Sequence, residues 1–209
     1  MQNPISSTSM FLDPSKEIER GRHKLPQWQQ DRACIFATWR TADSLPKTVL
    51  DHWSEQRTIW LSLHSQPWDE ATDREYHERF ASEMDKHLDQ GYGACQLRES
   101  GNALIVADAL RHFDGDRYEL SDFVVMPNHV HVLFAPGSDQ KLADIIQSWK
   151  RHSARMINVR MGASGRLWQP DYWDRLIRSQ RHFNWVKGYI TANPKGLREG
   201  EFLLWSAAL

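Results

Sequence analysis

The residues of this chain best suited to chemistry are two histidines and a tyrosine. In Asn128-His129-Val130-His131-Val132-Leu133, the two-residue period of an extended strand puts His129 and His131 on one face and Val130 and Val132 on the other. Two imidazoles on one face can converge on a single ion, although the same pattern also fits ordinary histidines on a solvated sheet. Further along, Tyr189 and Asn193 stand at i and i+4 of a helical run, and Trp185 and His182 extend that face toward the N-terminus. Phe183, Val186 and Ile190 lie to the side and can face a core. On these residues alone the phenol fits a packing role as well as a nucleophilic one. Asn193 precedes Pro194, which biases its backbone away from helix, so its alignment with Tyr189 is an expectation to be tested.

The setting of these residues is basic. Residues 141 to 200 hold twelve Lys and Arg against four Asp and Glu, a surplus of eight, and the remainder of the chain carries the nine excess negative charges that bring the total to -1. A near-neutral sum thus hides a dipolar chain, with a basic block suited to phosphate backbones or simply to solvent. Lys150, Arg151, Arg155, Arg175, Arg178 and Arg181 are the candidates for phosphate contacts. Of the ten tryptophans, Trp149, Trp168, Trp173 and Trp185 fall in this block, where indoles can stack on unpaired bases or pack in the core. Trp185, on the face of Tyr189, is the one expected to be functional. The expected arrangement is a basic nucleic-acid face backed by an acidic N-terminal half.

The elements that must position these groups can be read from periodicity and breakers. Residues 1–30 read as a flexible tail without a secretory leader, residues 31–200 as one domain, and residues 201–209 as a C-terminal tail. Arg32 to Arg40 reads as a first strand, and the acidic stretch 47–90 as two helices split near Pro67. Ser100 is placed to cap a helix that Asp114-Gly115 closes. Tyr118 to Val125 and His129 to Phe134 read as a hairpin turning at Met126-Pro127-Asn128. Ser138 or Asp139 is placed to cap a long helix ending near Gly162, and a final helix runs from about Ser179 to Asn193. The result is an α+β fold with a central, mostly antiparallel sheet flanked by helices. With 40% hydrophobic and 25% charged residues, and no apolar run near the roughly 20 residues that span a bilayer, a membrane protein is excluded. Cys34 and Cys95 form neither a metal finger nor a disulfide framework, which points to a reducing, cytoplasmic setting.

Three motifs carry a resemblance: Val124-Val125-Met126-Pro127-Asn128-His129-Val130-His131-Val132-Leu133, then Leu167-Trp168-Gln169-Pro170 with Asp171-Tyr172-Trp173-Asp174 and Ile177-Arg178, then Gly188-Tyr189-Ile190-Thr191-Ala192-Asn193-Pro194. In order and spacing they resemble the single-tyrosine HUH transposases of the IS200-like superfamily, and within them the REP-associated tyrosine transposases. The resemblance spans about residues 30 to 200 and is firmest from 118 to 197.

It implies a ferredoxin-like or RRM-like core and a metal-dependent endonuclease and strand-transferase acting on single-stranded DNA at hairpins or REP-like palindromes. His129 and His131 match the HUH pair, Tyr189 the nucleophile, and Asn193 the polar helix residue that completes the metal site. The cofactor implied is Mg²⁺ or Mn²⁺, and a set of two imidazoles and one amide is expected to favour Mn²⁺. The phenol would attack in line to give a 5′-phosphotyrosine enzyme and a free 3′-hydroxyl. No general base is evident, the acidic stretch 47–90 has no assigned role, and the family includes both monomers and dimers. Two other readings remain: a domesticated hairpin-binding protein without catalysis, and an RRM-like RNA-binding module.

Overall fold

The computed structural model describes residues 10–13, 19–21, 27–65 and 68–207. Its centre is a five-stranded, wholly antiparallel sheet. A short hairpin, β1 (Glu19–Gly21) with β2 (Gln27–Gln29), precedes it within the expected tail. The sheet proper holds β3 (Ile35–Arg40), β4 (Tyr118–Val125), β5 (His129–Pro136), β6 (Trp173–Leu176) and β7 (Leu203–Ser206), in the order β6-β3-β5-β4-β7. Leaving out the edge strand β7, the chain order of the other four reads 4-1-3-2 across the sheet. With helices between β3 and β4 and between β5 and β6, this is the βαββαβ ferredoxin-like pattern. The expected α+β class and antiparallel sheet are what the chain forms.

Pairing of β5 with both neighbours makes it the buried middle of the sheet, and its alternation divides two layers. Val130, Val132 and Phe134 enter the main core with Ile35, Ala37 and Trp39 of β3, α4 (Ser100–Arg111) and α5 (Leu142–Met161). His129, His131 and Leu133 face the other side, where Leu133 packs with Val124, Ile177 and the inner residues Val186 and Ile190 of α6 (Gln180–Ala192). Between β3 and β4 the acidic stretch forms α1 (Lys47–Leu63), α2 (Glu70–Tyr76), a π-helical turn at His77–Ala81 and α3 (Ser82–Leu88). Met84 and Leu88 of α3 pack on Leu45, Leu50, Trp53 and Trp173. The expected break at Pro67 lies outside the described residues.

Several local expectations change. Ser100 is the first residue of α4 rather than its cap; Glu99 takes the extended N-cap conformation without a side-chain cap bond. Likewise Lys141 caps α5, while Asp139 lies at φ 66 in the preceding turn. The C-terminal segment is not a free tail, because Leu203–Ser206 pairs with β4 and alternates between half-buried and exposed residues, as an edge strand does. Part of the expected N-terminal tail also lies against the sheet, with Leu12 N–H bonded to Ile177 O at 2.8 Å and Cys34 N–H to Met10 O at 2.8 Å. β6, within the Trp-rich stretch, was not foreseen as a strand. At four residues, with Trp173, Asp174 and Arg175 all half-buried, it lacks the apolar alternation that marks a strand in sequence.

Candidate active site

The two histidines are fully buried on the α6 side of β5, and each is oriented by a polar neighbour through Nδ1. His129 Nδ1 lies 2.8 Å from Asn128 Oδ1, and Asn128 Nδ2 donates to the carbonyls of Leu88 (3.2 Å) and Tyr92 (3.1 Å). With its amide nitrogen thus committed, Asn128 presents an oxygen that can only accept, so His129 carries its proton on Nδ1 and its lone pair on Nε2. The loop holding the Tyr92 carbonyl needs glycine at residue 93: φ is +86, and a Cβ there would lie 2.5 Å from the Asp43 carbonyl oxygen. Thr38, opposite His131 on β3, brings Oγ1 within 2.7 Å of His131 Nδ1.

Burial keeps both rings neutral. It pushes His129 down to about 3 and His131 well below the usual histidine range, the nearby His129 adding to the effect on His131. Both Nε2 atoms, and Asn193 Oδ1, are buried without a hydrogen-bond partner. Asn193 does interact with His129 and with the Tyr189 hydroxyl, but neither His129 Nε2 nor Asn193 Oδ1 completes a well-formed hydrogen bond. Three buried lone-pair donors left unsatisfied fit a cation, since such atoms are otherwise costly. The described residues hold no group of three or more His, Cys, Asp and Glu arranged for a metal, so a cation placed here would meet two imidazoles and an amide.

Helix α6 brings the tyrosine. Ser179 caps it by accepting from His182 N–H at 3.2 Å. Val186 and Ile190, both fully buried, anchor it to the sheet, each contributing about 1.5–3 kcal/mol by burial. A bulge at Ser121 shifts the register of β4 between Leu120 and Asp122, turning Asp122 toward α6, where its carboxylate meets Lys187 Nζ at 3.3 Å. Lys187 therefore points away from Tyr189 and into this anchor. Asn193 keeps helical angles (φ -57, ψ -42) and donates its N–H to Tyr189 O at 2.9 Å, so the bias from Pro194 is overridden and the i, i+4 alignment forms.

Tyr189 then stands beside the histidines within one chain, its ring 5.3 Å from that of His131, which is 4.7 Å from His129. Phe36 stacks on His131 at 5.5 Å and meets Tyr189 edge-on at 5.9 Å. Trp185 stacks on the other side of Tyr189 at 5.8 Å with 14° between planes, and is 58% exposed. A cavity of about 240 Å³ opens here, lined by His77, Asp85, Asp89, Arg175, Trp185 and Tyr189 among others. The Tyr189 hydroxyl donates to Asp85 Oδ2 at 2.8 Å, and Asp89 Oδ1 lies 4.0 Å from His129 Nε2. Burial, and then the Asp85 charge, hold the phenol far above its usual range. Burial likewise pushes Asp85 up to about 7, opposed by the Tyr189 hydrogen bond.

The basic candidates divide between the two sides of the sheet. Arg175 lines the cavity, and Arg178 lies with His77 and His182 close enough that the charges of Arg175 and Arg178 depress both histidines, after burial, which pushes His182 down to about 4. Arg181 is exposed at the start of α6. Lys150, Arg151 and Arg155 sit on α5, which packs on the opposite face, and Lys150 Nζ is engaged with the carbonyls of Pro170 (2.9 Å) and Asp171 (3.3 Å). Trp149 and Trp168 are core residues, the first stacked on Trp39 and the second edge-on to it. The acidic half does not simply back a basic face, because α3 forms one wall of the cavity. Sequence reasoning missed Asn128, Thr38, Phe36, Asp85 and Asp89. Asn128 and Thr38 were findable as polar neighbours of the histidines along or across the strands, whereas nothing local marks Asp85.

The fold and site together are a ferredoxin-like α+β sheet that carries paired histidines on its central strand, facing a tyrosine on a packed helix. Residues 108–193, a segment that contains both histidines, Tyr189 and Asn193, match the family described as Transposase IS200 like. No curated protein matches the chain. Among solved structures it is similar to one described as the REP-associated tyrosine transposase bound to a REP hairpin, with 15% identity, 83% of this chain and 73% of that one covered, and a TM-score of 0.45. It is also similar to a transposase candidate from Deinococcus radiodurans R1, with 18% identity, 84% and 97% covered, and a TM-score of 0.36. No helix among the described residues is long and apolar enough to cross a membrane.

Proposed function

We propose that the protein nicks and rejoins single-stranded DNA at hairpins through a covalent 5′-phosphotyrosine on Tyr189, as a REP-associated type of tyrosine transposase. The observation that carries this reading is the meeting of His129, His131 and Asn193 with the Tyr189 phenol beside one cavity, from two elements far apart in sequence. His129, His131 and Asn193 would hold a divalent ion, Mg²⁺ or Mn²⁺. When bound, that ion withdraws charge from a phosphate oxygen and orients the phosphorus.

The chain's own groups supply the rest. Asn128 and Thr38 fix the imidazole rings, and burial keeps them neutral and ready to ligate. Phe36 packs edge-on and Trp185 face-on against the Tyr189 ring, so the phenol presents its oxygen in one direction. The exposed Trp185 indole offers a stacking surface for an unpaired base next to the scissile phosphate. Arg175, Arg178 and Arg181 favour the approach of the DNA backbone from the cavity side. The bond energy of the cleaved phosphodiester is kept in the tyrosyl ester, which permits rejoining without ATP.

The test is a denaturing gel with an end-labelled DNA hairpin bearing single-stranded flanks, incubated with Mn²⁺. A covalent adduct with the wild-type protein and none with Tyr189→Phe is expected, and an adduct that survives Tyr189→Phe would refute the assignment. The non-catalytic binding reading has less support, since the nucleophile and candidate ligands are all present and assembled. An RNA-binding module that stacks bases on its sheet has less still, because none of the aromatic residues of the five strands is exposed.

A further inference from the structure

Tyr189 lacks an evident proton acceptor among the residues of the matched segment. Lys187 is turned into its ion pair with Asp122, while the imidazole Nδ1 atoms are engaged with Asn128 and Thr38 and neither Nε2 hydrogen-bonds the phenol. The acceptor that touches the phenol comes from outside that segment: Asp85, on the acidic helix α3, receives the Tyr189 hydroxyl hydrogen bond at 2.8 Å. We propose that Asp85 is the general base that takes the proton of Tyr189 during nicking and returns it during rejoining. This rests on the reading of Tyr189 as nucleophile.

The geometry is that of a committed donor–acceptor pair. Asp85 is fixed because α3 buries the neighbouring Met84 and Leu88 against Leu45, Leu50, Trp53 and Trp173, and Tyr189 is fixed by Phe36, His131 and Trp185. The ionisable groups around the carboxylate are Tyr189 from α6, Asp89 and Lys86 on its own helix, His77 from the π-helical turn, and Asp174 and Arg175 of β6. A phenol, ordinarily titrating at about 10, is scarcely ionised at neutral pH and needs a base to attack. A carboxyl held near 7 is poised to serve, since the best catalytic bases lie near the working pH.

In nicking, the Tyr189 O–H bond breaks toward Asp85 as Tyr189 Oη bonds to phosphorus. The P–O3′ bond breaks with its electron pair going to the 3′-oxygen, which takes a proton from solvent. In rejoining, a 3′-hydroxyl attacks the phosphotyrosine, loses its proton to solvent, and the departing phenolate recovers its proton from Asp85.

Single-turnover adduct formation on the labelled hairpin with Mn²⁺ tests this, using Asp85→Asn, Asp85→Glu and Asp85→Ala, with Tyr189→Phe alongside and a thermal melt of each to establish folding. Asp85→Asn is expected to slow adduct formation by about 100-fold or more, and Asp85→Glu to recover part of the rate. Added formate or acetate should restore Asp85→Ala, where it can enter the vacated space, and not Asp85→Asn. A folded Asp85→Asn protein that reacts at the wild-type rate or faster overturns the proposal, as does a folded Asp85→Ala protein that carboxylates do not rescue. If Tyr189→Phe is inert in the same experiment, the nucleophile reading stands while the base fails; if Tyr189→Phe still reacts, both fail.

Discussion

Asp85→Asn replaces one carboxylate oxygen by an amide nitrogen at a group that burial holds at about 7 against an ordinary 3.8. Below pH 4 the carboxyl is protonated in both folded and unfolded chains, and the variant and wild-type proteins should be equally stable. Between pH 4 and 7 the folded protein retains a proton that the unfolded chain has released, so wild-type stability falls as pH rises, and the loss is complete above about 7. A gap of about three pKa units corresponds to about 4 kcal/mol. Because Asp85 is partly exposed in the cavity, about 2 kcal/mol is the working figure. For a chain of this length that is a rise of about 4–8 °C in Tm for Asp85→Asn at pH 8.5, shrinking toward zero near pH 4. Paired thermal melts of the two proteins from pH 4 to 8.5 isolate this carboxyl, because every other titrating group is common to both. A variant less stable than wild type at pH 8.5, or a difference that does not change with pH, would refute the buried, raised carboxylate on which the reasoning stands.

Asn128→Ala is expected to weaken Mn²⁺ binding about 10- to 100-fold, measured by calorimetry, because it frees His129 from its fixed tautomer. Trp185→Ala should leave the melting temperature within a degree or two, the indole being largely exposed, and cost about 1–3 kcal/mol in affinity for single-stranded DNA by fluorescence anisotropy. Arg175→Ala should slow cleavage and lessen the salt dependence of DNA binding, while Arg155→Ala, on the far face of the sheet, should leave the rate of adduct formation unchanged; equal effects in the same gel assay would contradict the placement of the DNA on the α6 side. His77 and His182 are both held below the ordinary 6.5 by burial and by Arg175 and Arg178. They resist protonation in the folded state, so their contribution to stability is present above about pH 6.5 and is lost as pH falls toward 4, which His182→Gln should partly relieve in acid melts.

Much of the geometry of the candidate site was legible because it depends on short periods. The alternation in His129-Val130-His131 fixes which side the imidazoles take once β5 is a strand, and the i, i+4 spacing of Tyr189 and Asn193 fixes their common face once α6 forms. The hairpin at Met126-Pro127-Asn128 was equally local. What was not legible depends on pairing between distant segments. β7 was read as a tail, since Leu203-Leu204-Trp205-Ser206 becomes a strand only where β4 offers it an edge. β6 was obscured by the charged Asp174 and Arg175, which break the apolar alternation that marks a strand. Lys150, Arg151 and Arg155 were counted with the DNA face because they are near Arg175 in sequence, but the sheet lies between them.

The acidic stretch 47–90 shows why charge pattern alone could not identify its role. Asp85 and Asp89 are one helical turn apart, as are Met84 and Leu88, so α3 reads as an ordinary amphipathic helix with a solvated acidic face. What changes its chemistry is the surface on which that face lands. Met84 and Leu88 seat the helix on Leu45, Leu50, Trp53 and Trp173, and this seating carries Asp85 against Tyr189 and Asp89 toward His129. A carboxylate that would be an inert solubilising group in water thereby loses most of its hydration, and its proton affinity rises into the range where it can exchange a proton with a phenol at neutral pH. The Leu88 carbonyl at the end of the same helix also accepts from Asn128, so α3 bears on both the nucleophile and the orientation of His129. A displacement of α3 would therefore alter the Asp85 contact to Tyr189 and the orientation of His129 together.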